Sequence, residues 1–254
     1  MSWDPSIYNK FKSQRSEPFY DLLALVQVRN NMDVVDLGCG TGELTKELSE
    51  KFPGANVLGI DSSAEMLVDS KKLENKKLHF EQRSIEDQLR QNAKWDLIFS
   101  NAAIQWVDDH ETLLPHIIKS IKQGGQLAIQ IPAQHHNITN ILLDQLAEKE
   151  PYKTVLQNWK RDSSVLNIDS YAKILFENGS QSMNVFEKIY PLVLENADAL
   201  FNWVSGTALI PYLERLPIDM QEDFKEDYKN CLKQQFNTSP VFYPFKRILM
   251  TAAF

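Results

Sequence analysis

Cysteine is scarce in this sequence, since only Cys39 and Cys231 occur among its 254 residues. Two cysteines cannot form a disulfide framework, and neither has a second cysteine or a histidine at the spacing of a metal site. We therefore expect a fold without cross-links or a bound metal, in a reducing compartment, the cytoplasm. Hydrophobic residues make up 43% of the chain and charged residues 24%, the composition of an ordinary globular protein with a sizeable core.

Long apolar runs and an excess of basic residues are also missing. No apolar run approaches the roughly 20 residues that cross a membrane, and Asp4 and Pro5 stand where a signal peptide would need its apolar core. The net charge is −7, and the lysines and arginines are scattered along the chain, whereas nucleic-acid-binding proteins usually carry a basic patch. We expect neither a nucleic-acid nor a membrane partner. The oligomeric state stays open, with a monomer as the simplest expectation.

Short apolar runs alternate with amphipathic segments over the first half of the chain. This alternation predicts a Rossmann-like α/β fold, in which a mostly parallel sheet carries helices on both faces. The pattern becomes mainly helical after residue 132, with two later segments that are typical of strands. The predicted strands are 33–38, 55–61, 78–82, 95–101, 126–132, 183–194 and 245–254, and the predicted helices of the first half are 16–28, 41–52, 62–73 and 110–123.

Three glycines, Gly38, Gly40 and Gly42, lie between the first predicted strand and the following helix. A chain that leaves a strand and opens a helix at once must turn tightly, and glycine permits both the turn and a close approach of the backbone to a ligand. The spacing is GxGxG, with Glu43 where a dinucleotide fingerprint has its third glycine. Two kinds of ligand remain for this loop: a dinucleotide, or another cofactor that contains a nucleoside.

Two carboxylates accompany the glycine loop. Asp36 stands at the head of the loop, where it would repel a diphosphate, and Asp61 closes the next strand, where a carboxylate can accept hydrogen bonds from ribose hydroxyls. S-adenosylmethionine has no phosphate and carries a sulfonium and an ammonium. The loop therefore favours S-adenosylmethionine over a dinucleotide, although a purely structural turn with helix-capping aspartates also produces such residues.

The segment from Asp36 to Gly42 resembles the first motif of class I S-adenosylmethionine-dependent methyltransferases, and Asp61 resembles the acidic residue of their second motif. Within that family, the trans-aconitate 2-methyltransferases are the most similar group. The resemblance implies S-adenosylmethionine as cofactor, S-adenosylhomocysteine as product and no metal. The segments that carry the closer resemblance are 3–18, 96–110 and 202–217.

The same resemblance implies a set of cofactor-binding residues. Tyr8, Phe11 and Arg15 would fold over the cofactor, with the Arg15 guanidinium on its carboxylate. Core packing is the alternative for Met66 and Trp106, and a solvated charge is the alternative for Arg15. The complete implied set is Tyr8, Phe11, Arg15, Asp36, Gly38, Gly40, Asp61, Ser62, Met66, Ser84, Ile85, Asn101, Ala102 and Trp106.

The resemblance also implies an organisation of the chain as a single domain, residues 1–254. Residues 1–30 would form a cofactor-covering segment and residues 31–132 the cofactor-binding core. An α-helical insertion with a late strand, residues 133–240, would cover the substrate site, and residues 241–254 would add a C-terminal strand. Repeats and linkers are missing from the sequence, which agrees with one domain.

The sequence departs from the family at two positions. Ser84 stands where the family usually has an aspartate that accepts from the adenine amino group, and Ile210 replaces an arginine before a proline. If that arginine binds a substrate carboxylate, another cation has to take its place, and Arg215, Lys246 and Arg247 are the candidates. The substrate-side candidates overall are Trp106, His135 and Arg215.

The resemblance implies O-methylation of a carboxylate on a small polycarboxylic acid such as trans-aconitate. Because a carboxylate is ionised at neutral pH, its methylation needs no general base, and we expect positioning rather than a catalytic residue to drive the reaction. A malonyl-carrier-protein carboxyl methyltransferase and an enzyme acting on another small molecule are alternatives. A non-catalytic S-adenosylmethionine-binding regulator is the alternative from a different class.

Overall fold

The computed structural model describes residues 12–159, 163–206 and 208–254, with the side chains of 12–15 and 135 left aside. The chain divides into two compact units. Within the described part of the chain, no helix is both long and apolar enough to cross a membrane. The first unit comprises Met1–Arg15, Ala133–Ser163 and Ile189–Lys246, and the second comprises Ser16–Pro132, Ser164–Lys188 and Arg247–Phe254.

In the part of the chain that the structure describes, seven strands form one sheet in the order β3-β2-β1-β4-β5-β7-β6. Strands β1 to β5 pair in parallel, and β7 pairs antiparallel with β5. The expected Rossmann-like α/β fold is thereby confirmed. The strands are β1 (Asp33–Leu37), β2 (Asn56–Asp61), β3 (Leu78–Gln82), β4 (Trp95–Asn101), β5 (Ile121–Pro132), β6 (Ser182–Leu194) and β7 (Val241–Ala253).

Ten α-helices accompany the sheet in the described residues, and four of them begin with a side-chain cap. Asp109, for example, accepts a hydrogen bond from the Thr112 N–H at the start of α4, which satisfies one of the free donors at that helix end. The helices are α1 (Lys12–Ala24), α2 (Glu43–Lys51), α3 (Ile85–Leu89), α4 (His110–Lys119), α5 (Ile138–Ala147), α6 (Tyr152–Val155), α7 (Ile168–Glu177), α8 (Ala197–Ser205), α9 (Ile210–Leu213) and α10 (Ile218–Gln235).

The helix predicted over residues 62–73 is wrong. The chain forms turns there, followed by a short 3-10 helix, Ser70–Leu73. Asp61 accepts from the Ser63 N–H at 2.9 Å, and the Ser63 hydroxyl accepts from the Met66 N–H at 3.2 Å. These bonds resemble a helix cap, but the backbone that follows closes tight turns: the N–H groups of Val68 and Ser70 donate to carbonyls three residues back, at 3.4 and 3.1 Å, instead of continuing an α-helix.

The helix predicted over residues 110–123 is too long. It ends at Lys119, and β5 begins at Ile121 and continues through Gly124 and Gly125. Ile121 pairs with Trp95 of β4, and the Gly124 N–H donates to the carbonyl of Phe254 at 2.6 Å. Tertiary pairing with β4 and the C-terminal segment therefore overrides the local helical pattern.

Each unit has its own apolar core. In the second unit, Leu37, Ile98 and Phe99 are fully buried in the sheet, and the Phe19 ring meets the Phe99 ring edge-on at 5.4 Å. In the first unit, the core includes Leu200, Phe224, Tyr228 and Leu232, contributed by α8 and α10. The second unit contains the glycine loop and both aspartates of the predicted site.

A buried polar relay holds the turn that follows β4. The ring of His110 lies between the Ile104 carbonyl, 2.8 Å from Nε2, and the Tyr171 hydroxyl, 2.6 Å from Nδ1. A carbonyl only accepts, so Nε2 carries the proton, and Nδ1 of the neutral ring accepts from the Tyr171 hydroxyl. The same hydroxyl accepts from the Leu166 N–H at 3.0 Å. The relay is complete only with a neutral histidine, and burial lowers the pKa of His110 accordingly.

We expect Tyr171→Phe to destabilise the protein by about 1–3 kcal/mol, because it leaves a ring nitrogen and a buried N–H without partners. Tyr20→Phe is the matched control, since Tyr20 is exposed and bonds Glu47, and its cost should stay below about 0.5 kcal/mol. Because the folded protein disfavours the charged form of His110, the free energy of unfolding should be highest above pH 6.5 and should decrease as the pH drops below it. Urea unfolding at pH 5.5 and 7.5 measures both effects, and equal losses in the two variants would contradict the relay.

Candidate functional site

The glycine loop is tied to the end of β2 by three backbone donors. The N–H groups of Gly38 and Cys39 both donate to the Ile60 carbonyl, at 2.9 and 2.8 Å. The Gly40 N–H donates to Oδ2 of Asp61 at 2.9 Å. The loop after β1 and the carboxylate that ends β2 thus form one rigid element at the carboxyl edge of the sheet, the edge where open α/β sheets bind their ligands.

Close packing explains why glycine occupies the first two loop positions. Gly38 has a φ of +80°, and a Cβ on it would lie 2.1 Å from the Cβ of Ala103. Gly40 has a φ of +57°, and a Cβ there would approach the Met66 Cε to 3.2 Å. At Gly38 both the left-handed backbone and the Ala103 side chain exclude a larger residue, whereas at Gly40 the left-handed backbone is the main constraint, because the Met66 methyl group can move. The loop therefore brings the chain after β4 and the turn after β2 into contact.

Asp36 is a buried carboxylate beneath the loop. Its Oδ2 accepts from the Thr45 hydroxyl of α2 at 2.6 Å, and 4% of the residue is exposed. Burial raises the pKa of Asp36 to about 7, with a further rise from the charge of Asp61, while the Thr45 hydrogen bond acts in the opposite direction. Asp36 is thus close to half-ionised at neutral pH, and a cation bound nearby would favour its charged form.

Cys39 lies in the same loop, and its thiol is buried. Burial raises the pKa of the Cys39 thiol strongly, and the charges of Asp36 and Asp61 raise it further. The thiol contacts the Gly40 carbonyl with a sulfur–oxygen distance of 3.8 Å. Cys39 is therefore a neutral packing residue of the loop at physiological pH.

Asp61 is half-buried, and each of its carboxylate oxygens accepts a backbone hydrogen bond, one from the glycine loop and one from the turn after β2. Oδ2 accepts from Gly40 and Oδ1 accepts from the Ser63 N–H, each at 2.9 Å. A carboxylate oxygen has two lone pairs, so each oxygen keeps one acceptor position for a ligand hydroxyl. Two carboxylates at the ends of adjacent strands make this edge electronegative, which suits a cationic ligand better than a diphosphate.

The chain after β3 lies beside the end of β2, since the Arg83 N–H donates to the Asp61 carbonyl at 2.9 Å. Ser84 accepts from the Asp87 N–H at 3.0 Å and so caps α3, and Ile85 is buried. Ser62 is exposed next to Asp61. Ser84 therefore has a structural role in addition to the one that the sequence predicted.

The chain after β4 carries further predicted residues. Asn101 ends β4, and Ala102 turns the backbone with a φ of +55° while its N–H donates to the Gln130 carbonyl at 2.8 Å. The Asn101 Oδ1 is buried and has no hydrogen-bond partner among the described residues. Gln105 holds the turn by donating to the Ala102 carbonyl at 2.7 Å, and Trp106 is 59% exposed, so a fully buried core position for this tryptophan is wrong.

The remaining predicted residues lie elsewhere. Tyr8 and Phe11 fall outside the described residues, and the side chains of Arg15 and His135 are not described. Arg215 belongs to the first unit, where it donates to the Pro211 carbonyl and lies over the Trp159 ring at 3.9 Å. The other predicted residues all belong to the second unit, namely Asp36, Gly38, Gly40, Asp61, Ser62, Met66, Ser84, Ile85, Asn101, Ala102 and Trp106.

Sequence reasoning missed three residues that shape this site. Thr45 holds Asp36, Ala103 packs on Gly38, and Gln130 anchors the turn after β4 through its carbonyl. Ala103 and Gln130 depend on contacts between distant segments, and Thr45 depends on how α2 packs against β1, so a single sequence carries no direct signal for them. Among the described residues, no group of three or more histidine, cysteine, aspartate or glutamate side chains is arranged to hold a metal ion.

The chain matches the profile of a methyltransferase domain family over residues 29–188. This range covers the glycine loop, both aspartates and the turn after β4. The family that the sequence motifs indicated is therefore confirmed.

Relatives extend the similarity over the full length. The chain is 40% identical over 258 residues to a trans-aconitate 2-methyltransferase of Deinococcus radiodurans, which covers 99% of this chain and 98% of the relative. It is 34% identical to a trans-aconitate 2-methyltransferase of Variovorax paradoxus, over 98% of this chain and 95% of the relative. Both similarities include the first unit as well as the second.

A solved structure shows the same fold. Phosphoethanolamine N-methyltransferase 2 of Haemonchus contortus, solved in complex with S-adenosyl-L-methionine, matches with a TM-score of 0.56 at 17% identity. The match covers 94% of this chain and 52% of the other, so the chain spans about half the length of that protein. On the domain match and the full-length relatives together, the chain belongs to the methyltransferase family.

Proposed function

We propose that the chain binds S-adenosylmethionine at the Asp36–Gly42 loop and transfers its methyl group to a carboxylate of a small polycarboxylic acid such as trans-aconitate. The observation that carries the cofactor is the loop itself, whose Gly40 N–H is bonded to Asp61 while Asp36 lies beneath it. The names of the full-length relatives support the acceptor.

The described residues fit S-adenosylmethionine at several points. The free acceptor positions of Asp61 suit the ribose hydroxyls, and Ile85 and Met66 offer apolar surface for the adenine. The unpartnered Oδ1 of Asn101 suits the ammonium of the methionine portion, because a buried acceptor without a donor carries a desolvation cost that a ligand N–H removes. Tyr8, Phe11 and Arg15 stay predicted as residues that cover the cofactor, and residues 133–240 stay predicted as the substrate-covering part.

When bound, the cofactor supplies an electrophilic methyl group on a positively charged sulfur. An ionised carboxylate oxygen of the acceptor would take this methyl group and S-adenosylhomocysteine would be the product, so the negative charge of the carboxylate and the positive charge of the sulfur would both be lost. No proton moves, so the chain needs no general base. Its residues instead hold the acceptor oxygen against the methyl group, and this positioning is worth several kcal/mol of the barrier.

The alternatives differ in the acceptor. A malonyl-carrier-protein carboxyl methyltransferase would need a basic docking surface for its acidic carrier, and the net charge of −7 argues against one. An amine acceptor would need a proton acceptor, which the described loop does not offer apart from carboxylates that are already hydrogen-bonded. A non-catalytic binder would transfer no methyl group to any acceptor.

Asp61→Ala should weaken S-adenosylmethionine binding by about 1–3 kcal/mol, because it removes two ribose hydrogen bonds of about 0.5–1.5 kcal/mol each. Asp61→Asn keeps one acceptor oxygen and should lose less. Asp69→Ala, an exposed carboxylate paired with Lys72, is the control and should bind as the wild type does. Calorimetry measures all three, and unchanged affinity in Asp61→Ala, or a preference for NAD, would contradict the cofactor assignment.

The affinity for S-adenosylmethionine should rise with pH through the titration of Asp36. The pKa of Asp36 is raised to about 7, so the ionised form that attracts a cation is lost as the pH falls below 7. Between pH 5.5 and 6.5 the affinity should fall by up to about tenfold per unit. Asp36→Asn keeps the acceptor for Thr45 and should flatten the profile. If the affinity of the wild type and that of Asp36→Asn change equally with pH, the charge of Asp36 does not affect cofactor binding.

With saturating cofactor, the rate of acid methylation should stay nearly flat from about pH 6 to 8, since the acceptor carboxylate has a pKa of about 4 and is already ionised. An amine acceptor would give a rate that climbs steeply towards its pKa of about 10. Labelled cofactor and a panel of di- and tricarboxylic acids provide the measurement. Label on an amine, or on protein or RNA when all acids fail, would overturn the carboxylate acceptor.

A further inference from the structure

Three polar side chains share one face of the sheet at the carboxyl ends of β4 and β5. Asn101 and Gln130 are partners in the parallel β4–β5 pairing, and Arg247 is the partner of Pro132 in the antiparallel β5–β7 pairing. Paired residues point to the same face, and so do residues two apart along a strand. Asn101, Gln130 and Arg247 therefore form a polar row across three neighbouring strands of the second unit.

The contact between Gln130 and Arg247 fixes which atoms they present. Arg247 Nη1 lies 3.1 Å from Gln130 Oε1, and the two residues are 7% and 0% exposed. A guanidinium only donates, so Oε1 must be the amide atom that faces it, and the amide NH2 points elsewhere. Gln130 Nε2 is buried and has no acceptor among the described residues. A buried donor of this kind calls for an acceptor from a ligand.

This donor lies close to the glycine loop. The Ser100 hydroxyl donates to the Leu37 carbonyl at 2.8 Å, and Gly38 packs on Ala103, so β4 runs directly beside the loop. Gln130 is on the next strand. With strands about 4.8 Å apart, the Gln130 backbone lies two strand spacings, about 10 Å, from the loop, and the Gln130 side chain, a bound cofactor and a small acid together would fill that distance.

We propose that Gln130 and Arg247 bind a second, unreacted carboxylate of the acceptor acid, and so select polycarboxylic over monocarboxylic acids. This inference rests on the proposed function. The Gln130 NH2 supplies a hydrogen bond and the Arg247 guanidinium a positive charge, the two features that a carboxylate needs in a buried place. Arg247 thereby takes the role that Ile210 leaves open in the sequence.

The experiment uses the full chain and three acids, namely trans-aconitate, fumarate and crotonate. Fumarate and crotonate share a four-carbon trans skeleton, and crotonate has a methyl group in place of one carboxylate. Gln130→Glu removes the donor and pairs with Arg247, and Arg247→Met removes the charge at similar volume. Gln123→Glu makes the same chemical change at an exposed position of β5 and serves as the control.

We expect both site variants to raise the KM for trans-aconitate and fumarate by about tenfold or more, the usual effect of losing a charged hydrogen bond. The KM for crotonate, the affinity for S-adenosylmethionine and all values of Gln123→Glu should stay within about twofold of the wild type. Arg247→Lys keeps the charge without the planar fork and should lie between wild type and Arg247→Met. If Arg247→Met does not fold, Gln130→Glu and Arg247→Lys carry the test.

Unchanged KM values for the dicarboxylate and tricarboxylate in Gln130→Glu, with an active wild type, overturn this assignment and leave the proposed function intact. Equal losses for fumarate and crotonate also overturn it, because a merely structural defect does not discriminate between them. A wild type that binds S-adenosylmethionine but methylates none of the acids overturns the proposed function itself, and the assignment with it.

Discussion

The hydrogen bond from the Gly40 N–H to Asp61 is the constraint on which the rest of the site depends. It connects the loop after β1 to the end of β2, and the two N–H groups that meet the Ile60 carbonyl add to the same connection. Because the loop is fixed there, Gly38 can approach Ala103 and Gly40 can approach Met66. A side chain at Gly38 would collide with Ala103 and push the loop away from the chain after β4, so the shape of this edge depends on that glycine.

The two aspartates share this edge at an electrostatic cost. Burial and the neighbouring charge of Asp61 raise the pKa of Asp36 to about 7. Among the described residues, no group of side chains is arranged to hold a metal ion whose charge would offset the two carboxylates. A cation relieves the electrostatic cost, whereas a diphosphate would add a third negative charge. The preference for a sulfonium cofactor thus follows from the protein's own charges and from the geometry of the loop.

The sequence predicted the elements of the sheet well where strands are short, apolar and bounded by turn residues. Strands β3 and β4 have the predicted bounds, and the glycine loop lies against Asp61 through the Gly40 N–H. The predicted helix over 62–73 is wrong because the backbone there closes turns between residues three apart, such as Val68 to Glu65 and Ser70 to Leu67. Periodicity of apolar residues does not distinguish such turns from an α-helix. The role of Thr45 depends on how α2 packs against β1, and that of Gln130 on strand register, so only the structure revealed them.

The protonation state of the Cys39 thiol determines whether the cofactor can alkylate the loop. S-adenosylmethionine is an alkylating agent, and thiolates are the most reactive nucleophiles among side chains, so a cysteine in the loop that would hold it risks self-methylation at every encounter. Burial together with the charges of Asp36 and Asp61 holds the Cys39 thiol in its protonated form, which does not attack carbon electrophiles. The same acidic pair that favours the cofactor thereby protects the loop from being alkylated or oxidised.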